Sequence, residues 1–402
     1  MTGKIIVIGG GIGGLCAAIA LRRAGIQVVV YEQAEQFSEI GAGIQVWVKG
    51  MQALRLLGVA DAVRAAGAEV HQHQFFNADG VPLYSADLAA LARDTGAPAP
   101  VMIARSALID ALATGIDADE SVRFGHRVSA VQQSDDKVRV EFAGGGSDEA
   151  DLVVAADGIN STVRRLLFPA ARIRTASYRY VRSLVEHPAP FGNKVFAMFF
   201  GRGNRIAVGD CGDGALYWLV GLKRPTVDLG GAPEVLKADL LRRFETFPEG
   251  IGSVIEATPA DSLIHHTVRD LQPIETWGRG RVFLLGDAAH ATTPNLGRGS
   301  GVAMADAVVL ADLLGATDLT DAGQLATVLE AYSRSRTPEA HALQRTSWRI
   351  GNITSWDNAV MTHARDLMMR TVVGRRQVAE IGEQFVQAAA LQPPGQRWGN
   401  VA

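Results

Sequence analysis

A glycine-rich turn near the N-terminus constrains this chain more than any other feature. The run from Lys4 to Ile8 is continuous, apolar and rich in β-branched residues, as is typical of a parallel strand buried on both faces. Gly9, Gly11 and Gly14 follow at the spacing G-x-G-x-x-G, and residues 15–24 then have the composition of a helix. Strand, glycines and helix together predict a βαβ unit that binds a dinucleotide pyrophosphate at the helix N-terminus.

The residues of this unit have separate tasks. Gly9 permits the tight turn, Gly11 lets the backbone approach the pyrophosphate, and Gly14 allows the helix to pack on the strand. A second buried strand, residues 28–31, ends in Glu32, at the spacing where a carboxylate accepts hydrogen bonds from an adenosine ribose. Glu32 also argues against a 2′-phosphate there. The unit alone leaves FAD and NAD open.

Length and charge set the broad class. A chain of 402 residues exceeds one ordinary compact core, so we expect two domains. Hydrophobic residues make up 48% and charged residues 20%, which indicates a globular protein. The net charge of −3 gives no general attraction to nucleic acid or to anionic membrane. We therefore expect small-molecule partners, no nucleic acid and no stable membrane association.

The cysteines and histidines suggest neither a disulfide framework nor a metal centre. Cys16 and Cys211 are far apart in sequence, which fits a reducing compartment and predicts a cytoplasmic location. Two His pairs, 71/73 and 265/266, lack nearby Cys or Asp and a third spaced His, so we expect no metal.

Two further motifs follow buried strands. Residues 152–155 form a short apolar strand that leads into Asp157-Gly158 and then, after Ser161, into a helix that carries Val163-Arg164. This loop would lie at the carboxyl end of a strand, where open α/β sheets bind ligands. Simple turn formation or helix capping is the alternative role for Asp157.

The second motif begins after an apolar strand at residues 281–285. Gly286-Asp287-Ala288-Ala289-His290 follows this strand, and Pro294 and Gly297-Arg298-Gly299 come next. Three glycines at 297, 299 and 301 precede a helix that we predict over 302–314. They give a second helix N-terminus suited to a flavin pyrimidine or its negative charge.

In this order, the glycine turn, the DG motif (155–164) and the GD motif (286–299) resemble those of the class A FAD-dependent aromatic hydroxylases, the para-hydroxybenzoate hydroxylase family of flavoprotein monooxygenases. The resemblance spans roughly residues 4–345. It implies an α/β fold in which a Rossmann-like FAD-binding domain is interleaved with a substrate domain built on a mainly antiparallel sheet, plus C-terminal helices. The implied ranges are 1–71, 101–171 and 275–345 for the FAD-binding domain, 72–100 and 172–274 for the substrate domain, and 346–402 for the C-terminal helical segment.

The resemblance also implies non-covalent FAD. Gly41 to Gln45 is similar to the family's loop beside the flavin, Arg105 to its FAD-contacting arginine, and Asp287 to the acid that accepts from a ribityl hydroxyl. The chain departs from the family at Arg298, where many relatives carry glutamine, and at Val48-Lys49, where they carry Pro-Asn. The cofactor-binding residues that we predict are Gly9, Gly11, Ile12, Gly13, Gly14, Glu32, Gly43, Ile44, Arg105, Val131, Asp157, Asp287, Pro294, Gly297, Gly299, Ser300 and Gly301.

The chemistry implied by the resemblance is that of a single-component monooxygenase. NAD(P)H reduces the flavin, O2 adds to give a C4a-hydroperoxide, and its distal oxygen is transferred to an aromatic or other electron-rich ring. The single glycine-rich nucleotide motif agrees with NAD(P)H as a transient co-substrate rather than the ligand of a second Rossmann domain.

Placement suggests a substrate pocket. Two of its members follow the flavin-side loop and the others lie on the expected sheet; they are Gln45, Trp47, Met198, Phe200, Arg205 and Tyr217. Arg205 is either the partner of a substrate carboxylate or phenolate, or a solvated arginine at a strand end. His290 is expected to pack beside the flavin rather than to act as a general base. No catalytic residue is assigned.

Other functions stay open at this stage. An FAD-dependent reductase or dehydrogenase of related fold would share these motifs without inserting oxygen. A flavin-dependent halogenase is disfavoured because no W-x-W-x-I-P stretch occurs. A regulatory protein without catalysis is disfavoured by the intact glycines, Glu32 and Asp287. The substrate, the choice of NADH or NADPH, the catalytic base, and a monomeric or homodimeric state are undetermined.

Overall fold

The computed structural model describes residues 3–37, 42–225 and 227–391. Its strands, in chain order, are β1 (Lys4–Ile8), β2 (Gln27–Tyr31), β3 (Gly43–Val46), β4 (Gly67–Glu69), β5 (Gln72–Asn77), β6 (Pro82–Asp87), β7 (Val101–Ala104), β8 (Val122–Arg123), β9 (Val128–Gln133), β10 (Val138–Phe142), β11 (Ser147–Ala150), β12 (Leu152–Ala155), β13 (Ile173–Glu186), β14 (Val195–Phe200), β15 (Asn204–Asp210), β16 (Ala215–Leu222), β17 (Ile264–Leu271), β18 (Gly278–Arg279) and β19 (Val282–Leu284).

The helices connect and cover these strands. They are α1 (Ile12–Arg23), α2 (Val48–Leu56), α3 (Ala60–Ala65), α4 (Leu88–Thr95), α5 (Arg105–Thr114), α6 (Ala118–Ser121), α7 (Thr162–Leu167), α8 (Pro233–Phe244), α9 (Glu249–Ala257), α10 (Asp287–His290), α11 (Gly299–Leu314), α12 (Ala322–Thr354), α13 (Ala359–Arg370) and α14 (Val372–Ala389), with 3₁₀ turns at Ala260–Ser262 and Pro294–Leu296.

The first large sheet is the predicted Rossmann-like sheet. Its six strands lie in the order β18-β19-β12-β1-β2-β8, and β1 pairs in parallel with both β12 and β2. The side chains from Ile5 to Val7 are fully buried, because helices cover both faces. The predicted strand at residues 4–8 has the bounds of β1.

Two helix starts were predicted too late. Helix α1 begins at Ile12 rather than Leu15, and α11 begins at Gly299 rather than Val302. In both cases glycines were taken to precede the helix, yet they lie in its first turn. The first four N–H groups of a helix have no intrahelical partner, so a ligand can approach them where side chains are absent.

The second large sheet is mainly antiparallel, as predicted. Its order is β17-β13-β16-β15-β14-β5-β6, and only the β14 and β5 pair is parallel. One face packs on α8 and α9 through an apolar core that includes Trp218 and Phe244. The opposite face is free to line a site. All seven strands fall in the two ranges expected for a substrate domain, and we keep that division of the chain as a proposal.

The C-terminal helices that the resemblance implies are present. Helix α12 runs to Thr354, and α13 and α14 follow it and are separated at Thr371. Helix α14 packs against α2, α4 and β6, so it bridges the two halves of the chain. Residues 392–402 of the predicted C-terminal segment lie outside the described residues. Within the described ranges no helix is long and apolar enough to cross a membrane.

Candidate active site

A cavity of about 700 Å³ lies between the glycine loops of the first sheet and the open face of the second. Its size falls in the range of small-molecule sites. Most of the predicted cofactor residues line it: Gly11, Ile12, Gly13, Gly43, Ile44, Arg105, Asp287, Pro294, Gly297, Gly299 and Ser300. All six predicted substrate residues line it as well: Gln45, Trp47, Met198, Phe200, Arg205 and Tyr217. Gly41 of the flavin-side loop lies outside the described residues.

The first turn requires glycine for steric reasons. Gly9 has φ of +106°, and a Cβ there would lie 2.5 Å from the carbonyl oxygen of Ala156. A Cβ on Gly14 would lie 1.9 Å from the carbonyl oxygen of Gly9. A Cβ on Gly11 would meet no atom within 4 Å, so this position opens onto free space. Gly9 and Gly14 thus shape the turn, while Gly11 leaves room for a pyrophosphate.

Glu32 closes the same turn from the second strand. One carboxylate oxygen accepts from the N–H of Gly10 at 2.6 Å, and the other from the N–H of Ala34 at 2.9 Å. A carboxylate has about four acceptor positions, so Glu32 retains capacity for a ribose hydroxyl.

Asp157 both caps a helix and presents an unpaired oxygen. Its Oδ2 accepts from the N–H of Thr162 at 2.8 Å and of Val163 at 3.2 Å, which satisfies the first turn of α7. Its Oδ1 is buried without a hydrogen-bond partner among the described residues. A buried acceptor left unpaired is costly, so this oxygen suits a ligand that donates a hydrogen bond.

Arg164 connects the two motifs. Its guanidinium is buried and donates to the carbonyl oxygens of Ile159 and, at 3.0 Å, of Ala288. The GD motif starts at Gly286, whose φ of +61° favours glycine. Asp287 then faces the cavity. Its side chain is exposed to the cavity, and desolvation by the surrounding protein raises the pKa of its carboxyl although the side chains of His290, Arg105 and Arg164 lower it.

His290 lies behind the cavity wall. It is 1% exposed, stacks on Trp277 with ring centroids 4.8 Å apart, and is hydrogen bonded to Asp306 at 2.5 Å. Arg336 donates to the other oxygen of Asp306 at 2.7 Å. Burial opposes ionisation of Asp306, but His290 and Arg336 outweigh it and lower the pKa of its carboxyl. His290 therefore packs inside the protein against Trp277 and does not line the cavity.

Six predicted cofactor residues do not line the cavity: Gly9, Gly14, Glu32, Asp157, Val131 and Gly301. Val131 is half-buried in the small sheet formed by β9, β10 and β11. Gly301 packs against Gly50, where a Cβ would lie 3.1 Å from the Gly50 nitrogen. Gly301 also lines a neighbouring cavity of about 230 Å³ rather than the main one.

The open face of the second sheet presents its side chains in rows that follow the strand register. One row crosses six strands through directly paired residues, Arg182, Leu219, Ala207, Met198, Phe75 and Tyr84. All six line the cavity. A parallel row contains Tyr180, Gly221, Arg205 and Phe200. Residues at every second position of these strands therefore mark the cavity face.

Arg205 is buried, so it is not the solvated strand-end arginine that we considered. It is 6% exposed and donates from Nη2 to the Tyr180 hydroxyl at 2.5 Å and to Oδ1 of Asn295. Asn295 belongs to the turn that follows the GD motif. Gly221 makes room for Arg205, because a Cβ there would lie 3.1 Å from its Nε. Burial raises the pKa of Tyr180 to about 12, so it remains a neutral partner.

The sequence reasoning missed several cavity residues. Arg182 is hydrogen bonded to Tyr217, its Nε is buried without a partner in the described chain, and together with burial it lowers the pKa of Arg105. His73, considered only as a metal ligand, shares a 2.8 Å hydrogen bond with Gln45. Burial and Arg298 lower the pKa of His73 to about 3, so it is neutral. Strand alternation could have placed Arg182 and His73 on this face, but it could not bring them together.

No cluster of three or more His, Cys, Asp or Glu side chains able to hold a metal ion occurs in the described part of the chain. The donor groups fit FAD instead. Gly11 leaves room for a pyrophosphate, the buried Asp157 Oδ1 lacks a donor, and Asp287 and a glycine-rich helix start face the same space. A parallel sheet with two such helix N-termini, facing an antiparallel sheet across the cavity, indicates a flavoprotein.

Comparison with known proteins agrees with this class. The sequence pattern of the FAD binding domain family matches residues 2–203 and 215–347, so the chain belongs to this family, the class A FAD-dependent aromatic hydroxylases. An aurachin C monooxygenase/isomerase of Stigmatella aurantiaca is 34% identical over 92% of this chain and 95% of the relative. An FAD-dependent urate hydroxylase of Klebsiella oxytoca is 33% identical over 93% and 96%, respectively.

A solved structure extends the similarity to three dimensions. HpxO of Klebsiella pneumoniae, crystallised with FAD and uric acid, has a TM-score of 0.87 and 30% identity, and the match covers 95% of this chain and 96% of that one. The chain is thus an NAD(P)H-dependent FAD monooxygenase, with non-covalent FAD. These relatives favour oxygen insertion over the reductase alternative.

Proposed function

We propose that this monooxygenase hydroxylates a planar aromatic ring that carries a negative charge, and that Arg205 pairs with this charge. The observation that carries the proposal is the burial of Arg205 inside the cavity that the glycine loops share. A buried cation is costly unless it meets an anion, and its two observed partners, Tyr180 and Asn295, are neutral. An anionic ligand would compensate the charge.

The hydrogen bonds of Arg205 leave room for such a ligand. A guanidinium carries five N–H bonds, and two of them are used by Tyr180 and Asn295. Three remain for a carboxylate or phenolate. Because both neighbours fix the guanidinium plane, the ligand would be oriented without further loss of side-chain freedom.

The remaining residues hold the ring and exclude water. Reduced flavin supplies the oxygen chemistry when it reacts with O2. Met198 and Phe200 lie on β14, the strand next to Arg205, and give the ring an apolar surface. Gln45 lines the cavity from the flavin-side loop. His73, whose pKa is about 3, is a poor base at neutral pH, so we assign it to orienting Gln45 through their hydrogen bond. The catalytic base is left unassigned.

The relatives support the same substrate class. The urate hydroxylase acts on urate, and HpxO was crystallised with uric acid, a planar ring that is anionic at neutral pH. We propose urate as the first compound to test, followed by salicylate and 4-hydroxybenzoate.

Stopped-flow reduction of the flavin by NADH and by NADPH, with and without each compound, tests the proposal. A substrate should accelerate reduction and incorporate one labelled atom from ¹⁸O2 into product. Arg205→Lys should raise the KM roughly 10- to 100-fold, because lysine cannot reproduce the fixed guanidinium bonds. Arg202→Lys is the matched control, since Arg202 lies three residues earlier and is exposed.

The outcomes separate the alternatives. If ligand-bound enzyme consumes O2 and every product lacks labelled oxygen, the hydroxylation of these rings is refuted. If Arg205→Lys behaves like Arg202→Lys, oxygenation stands and the charge is held elsewhere.

We also propose that the cofactor residues have the predicted roles. We further propose a cytoplasmic location and a monomeric or homodimeric state. Cys16 and Cys211 are buried free thiols, which supports a reducing compartment. Light scattering of the holoenzyme would decide the oligomeric state.

A further inference from the structure

The cavity is polar at one end and apolar at the other, and the sheet register shows where the change occurs. Strands β13 and β15 supply Arg182, Tyr180 and Arg205. Strands β14, β5 and β6 supply Met198, Phe200, Phe75 and Tyr84, together with the neutral His73 that is hydrogen bonded to Gln45. Because neighbouring strands lie about 4.8 Å apart, the row from β13 to β6 spans roughly 24 Å, and its part beyond β15 spans roughly 14 Å. The apolar end is therefore longer than one aromatic ring.

Aromatic stacking makes the apolar end a continuous surface. Phe75 stacks on Tyr84 with ring centroids 4.2 Å apart and lies 6.4 Å from Phe200 in a nearly parallel orientation. Met369 packs into the same cluster from α13. Burial raises the pKa of Tyr84, so its hydroxyl stays neutral.

Helices α13 and α14 form the outer wall of this end. Met368, Met369, Val373 and Ile381 line the cavity from these two helices. Helix α14 approaches closely because Gly374 lies against Tyr84, where a Cβ would be 2.9 Å from the Tyr84 Cβ. Helix α13 ends and α14 begins at Thr371, and this change of direction places an apolar wall opposite the aromatic row.

The charged groups near this wall already have partners. Arg365 donates to the carbonyl oxygen of Gly201 at 3.1 Å and pairs with Asp366 at 2.7 Å. Arg298 pairs with Glu380 at 3.3 Å. Neither cation needs a ligand anion in the way that Arg205 does.

The apolar lining continues to the protein surface. Met368 is 43% exposed and Val373 is 37% exposed, although both line the cavity. Their neighbours Leu367 and Val372 are 56% and 65% exposed. A contiguous exposed apolar patch at the edge of a cavity is typical of a ligand-binding groove.

We infer that the substrate is a ring with an apolar side chain of several carbons, which lies along Phe75 and Tyr84 and emerges between α13 and α14 near Met368 and Val373. The inference rests on the proposed function, since it places the charged ring beside Arg205. A ring beside Arg205 covers Met198 and Phe200 on β14, so a small polar ring would leave the roughly 10 Å of apolar surface from β14 to β6 in contact with water. A side chain of four to six carbons would cover much of that surface.

Binding of matched compounds to the oxidised holoenzyme tests the inference without requiring turnover. The pairs are 4-hydroxybenzoate with 3-hexyl-4-hydroxybenzoate and salicylate with 5-hexylsalicylate, followed through the change in flavin absorbance that a ligand beside the flavin causes. Each buried methylene should lower the Kd about fourfold, so the hexyl compounds should bind at least tenfold more tightly.

Val373→Glu, which places a carboxylate in the outer wall, should reduce the ratio of the two Kd values towards one. Val386→Glu is the matched control, because Val386 is a 59% exposed valine of the same helix that does not line the cavity, and it should keep the wild-type ratio. Equal Kd values for both members of each pair in the wild-type protein would overturn the inference, whichever way the variants behave.

Oxygen labelling separates this result from the proposed function. If the hexyl compounds bind more tightly but no ring compound incorporates ¹⁸O, the side-chain site stands and the ring hydroxylation is refuted. If unsubstituted rings are hydroxylated and the hexyl group gives no gain in binding, hydroxylation stands and the side-chain site is refuted.

Discussion

The Asp287 side chain faces the cavity, and the protein around it disfavours the ionised form of its carboxyl. Burial raises the pKa of its carboxyl, and Arg105, Arg164 and His290 only partly offset this effect. Because the Asp287 side chain is exposed to the cavity, a ligand hydroxyl there can donate to the carboxylate directly.

We predict that Asp287→Ala weakens FAD binding by about 1.5–3 kcal/mol, which corresponds to roughly a 10- to 100-fold higher Kd. The loss comes from one charge-assisted hydrogen bond to the cofactor. Fluorescence titration of the apoprotein with FAD measures the Kd. Asp61→Ala, at a side chain 96% exposed, serves as the control. Equal Kd values for Asp287→Ala and wild type would contradict the assignment.

His73 should make the stability of the protein depend on pH. Its folded-state pKa of about 3 lies below the ordinary value of 6.5 because of burial and Arg298. Above pH 6.5 both states hold the ring neutral, whereas between pH 6.5 and 3 only the unfolded chain takes up the proton. The free energy of unfolding should therefore fall with decreasing pH, by about 2 kcal/mol between pH 7 and pH 5 from this residue.

His73→Gln should remove that part of the pH dependence. Urea unfolding of the holoenzyme at pH 5, 6 and 7 with excess FAD measures it, and His363→Gln, at an exposed position, provides the control. A His73→Gln variant whose stability falls as steeply as that of the wild type would show that His73 is protonated in the folded protein.

At the scale of elements, α14 is attached to the flavin side of the molecule by two polar contacts. Arg298, at the start of α11, pairs with Glu380 at 3.3 Å, and the Trp47 indole donates to Gln384 at 2.6 Å. Arg298 is one of the two departures from the family motifs, and the other, Lys49, pairs with Glu339 of α12. Both departures thus coincide with carboxylates on C-terminal helices.

We predict that Glu380→Gln loosens α14. Glu380 is 43% exposed, so the ion pair alone contributes little, but its loss leaves the largely buried Arg298 without its carboxylate. We expect the free energy of local opening of α14 to fall by about 1 kcal/mol. Hydrogen–deuterium exchange over Val372–Ala389 should then be roughly fivefold faster. More NAD(P)H should also be spent on H2O2, because water reaches the cavity.

The double variant Arg298→Gln/Glu380→Gln is the control. It removes the unpaired charge and restores the glutamine that many relatives carry, so exchange in α14 should return towards the wild-type rate. Exchange as fast as in the single variant would show that the ion pair does not hold the helix.

At the scale of the whole molecule, FAD would contact loops that belong to separate stretches of the chain. The turn at 9–14, the loop at 43–45, the GD motif and the turn at 294–300 converge on one cavity. A ligand that binds only the folded chain stabilises it by mass action. FAD should therefore stabilise the molecule as a whole rather than one helix.

We predict that free FAD at about 100 times its Kd raises the free energy of unfolding by about 2.7 kcal/mol relative to the apoprotein. Thermal unfolding of apoprotein with increasing FAD measures the effect. Urea should release the cofactor into the filtrate, since it is bound non-covalently. Flavin that remains with the denatured chain would contradict this prediction.

The sequence by itself determined the glycine-rich turns that line one side of the cavity. Gly9 and Gly286 have positive φ values that favour glycine, and a Cβ on Gly14 would lie 1.9 Å from the carbonyl oxygen of Gly9. The positive φ values and the contact between Gly14 and Gly9 depend on a few adjacent residues, so a spacing pattern is enough to predict them. The contact of a Gly9 Cβ with the carbonyl oxygen of Ala156 adds a restriction from the end of β12. The starts of α1 and α11 were misplaced only because glycines that serve a ligand also resemble helix breakers.

The tertiary structure alone decided the substrate half. Arg205, Tyr180 and Asn295 come from two strands and a distant turn, and whether Arg205 is buried depends on their meeting. The division into a charged and an apolar end depends on the order of seven strands and on the break at Thr371 that folds α14 over the cavity. Strand alternation specifies which face a side chain occupies, but pairing between distant segments specifies what it meets.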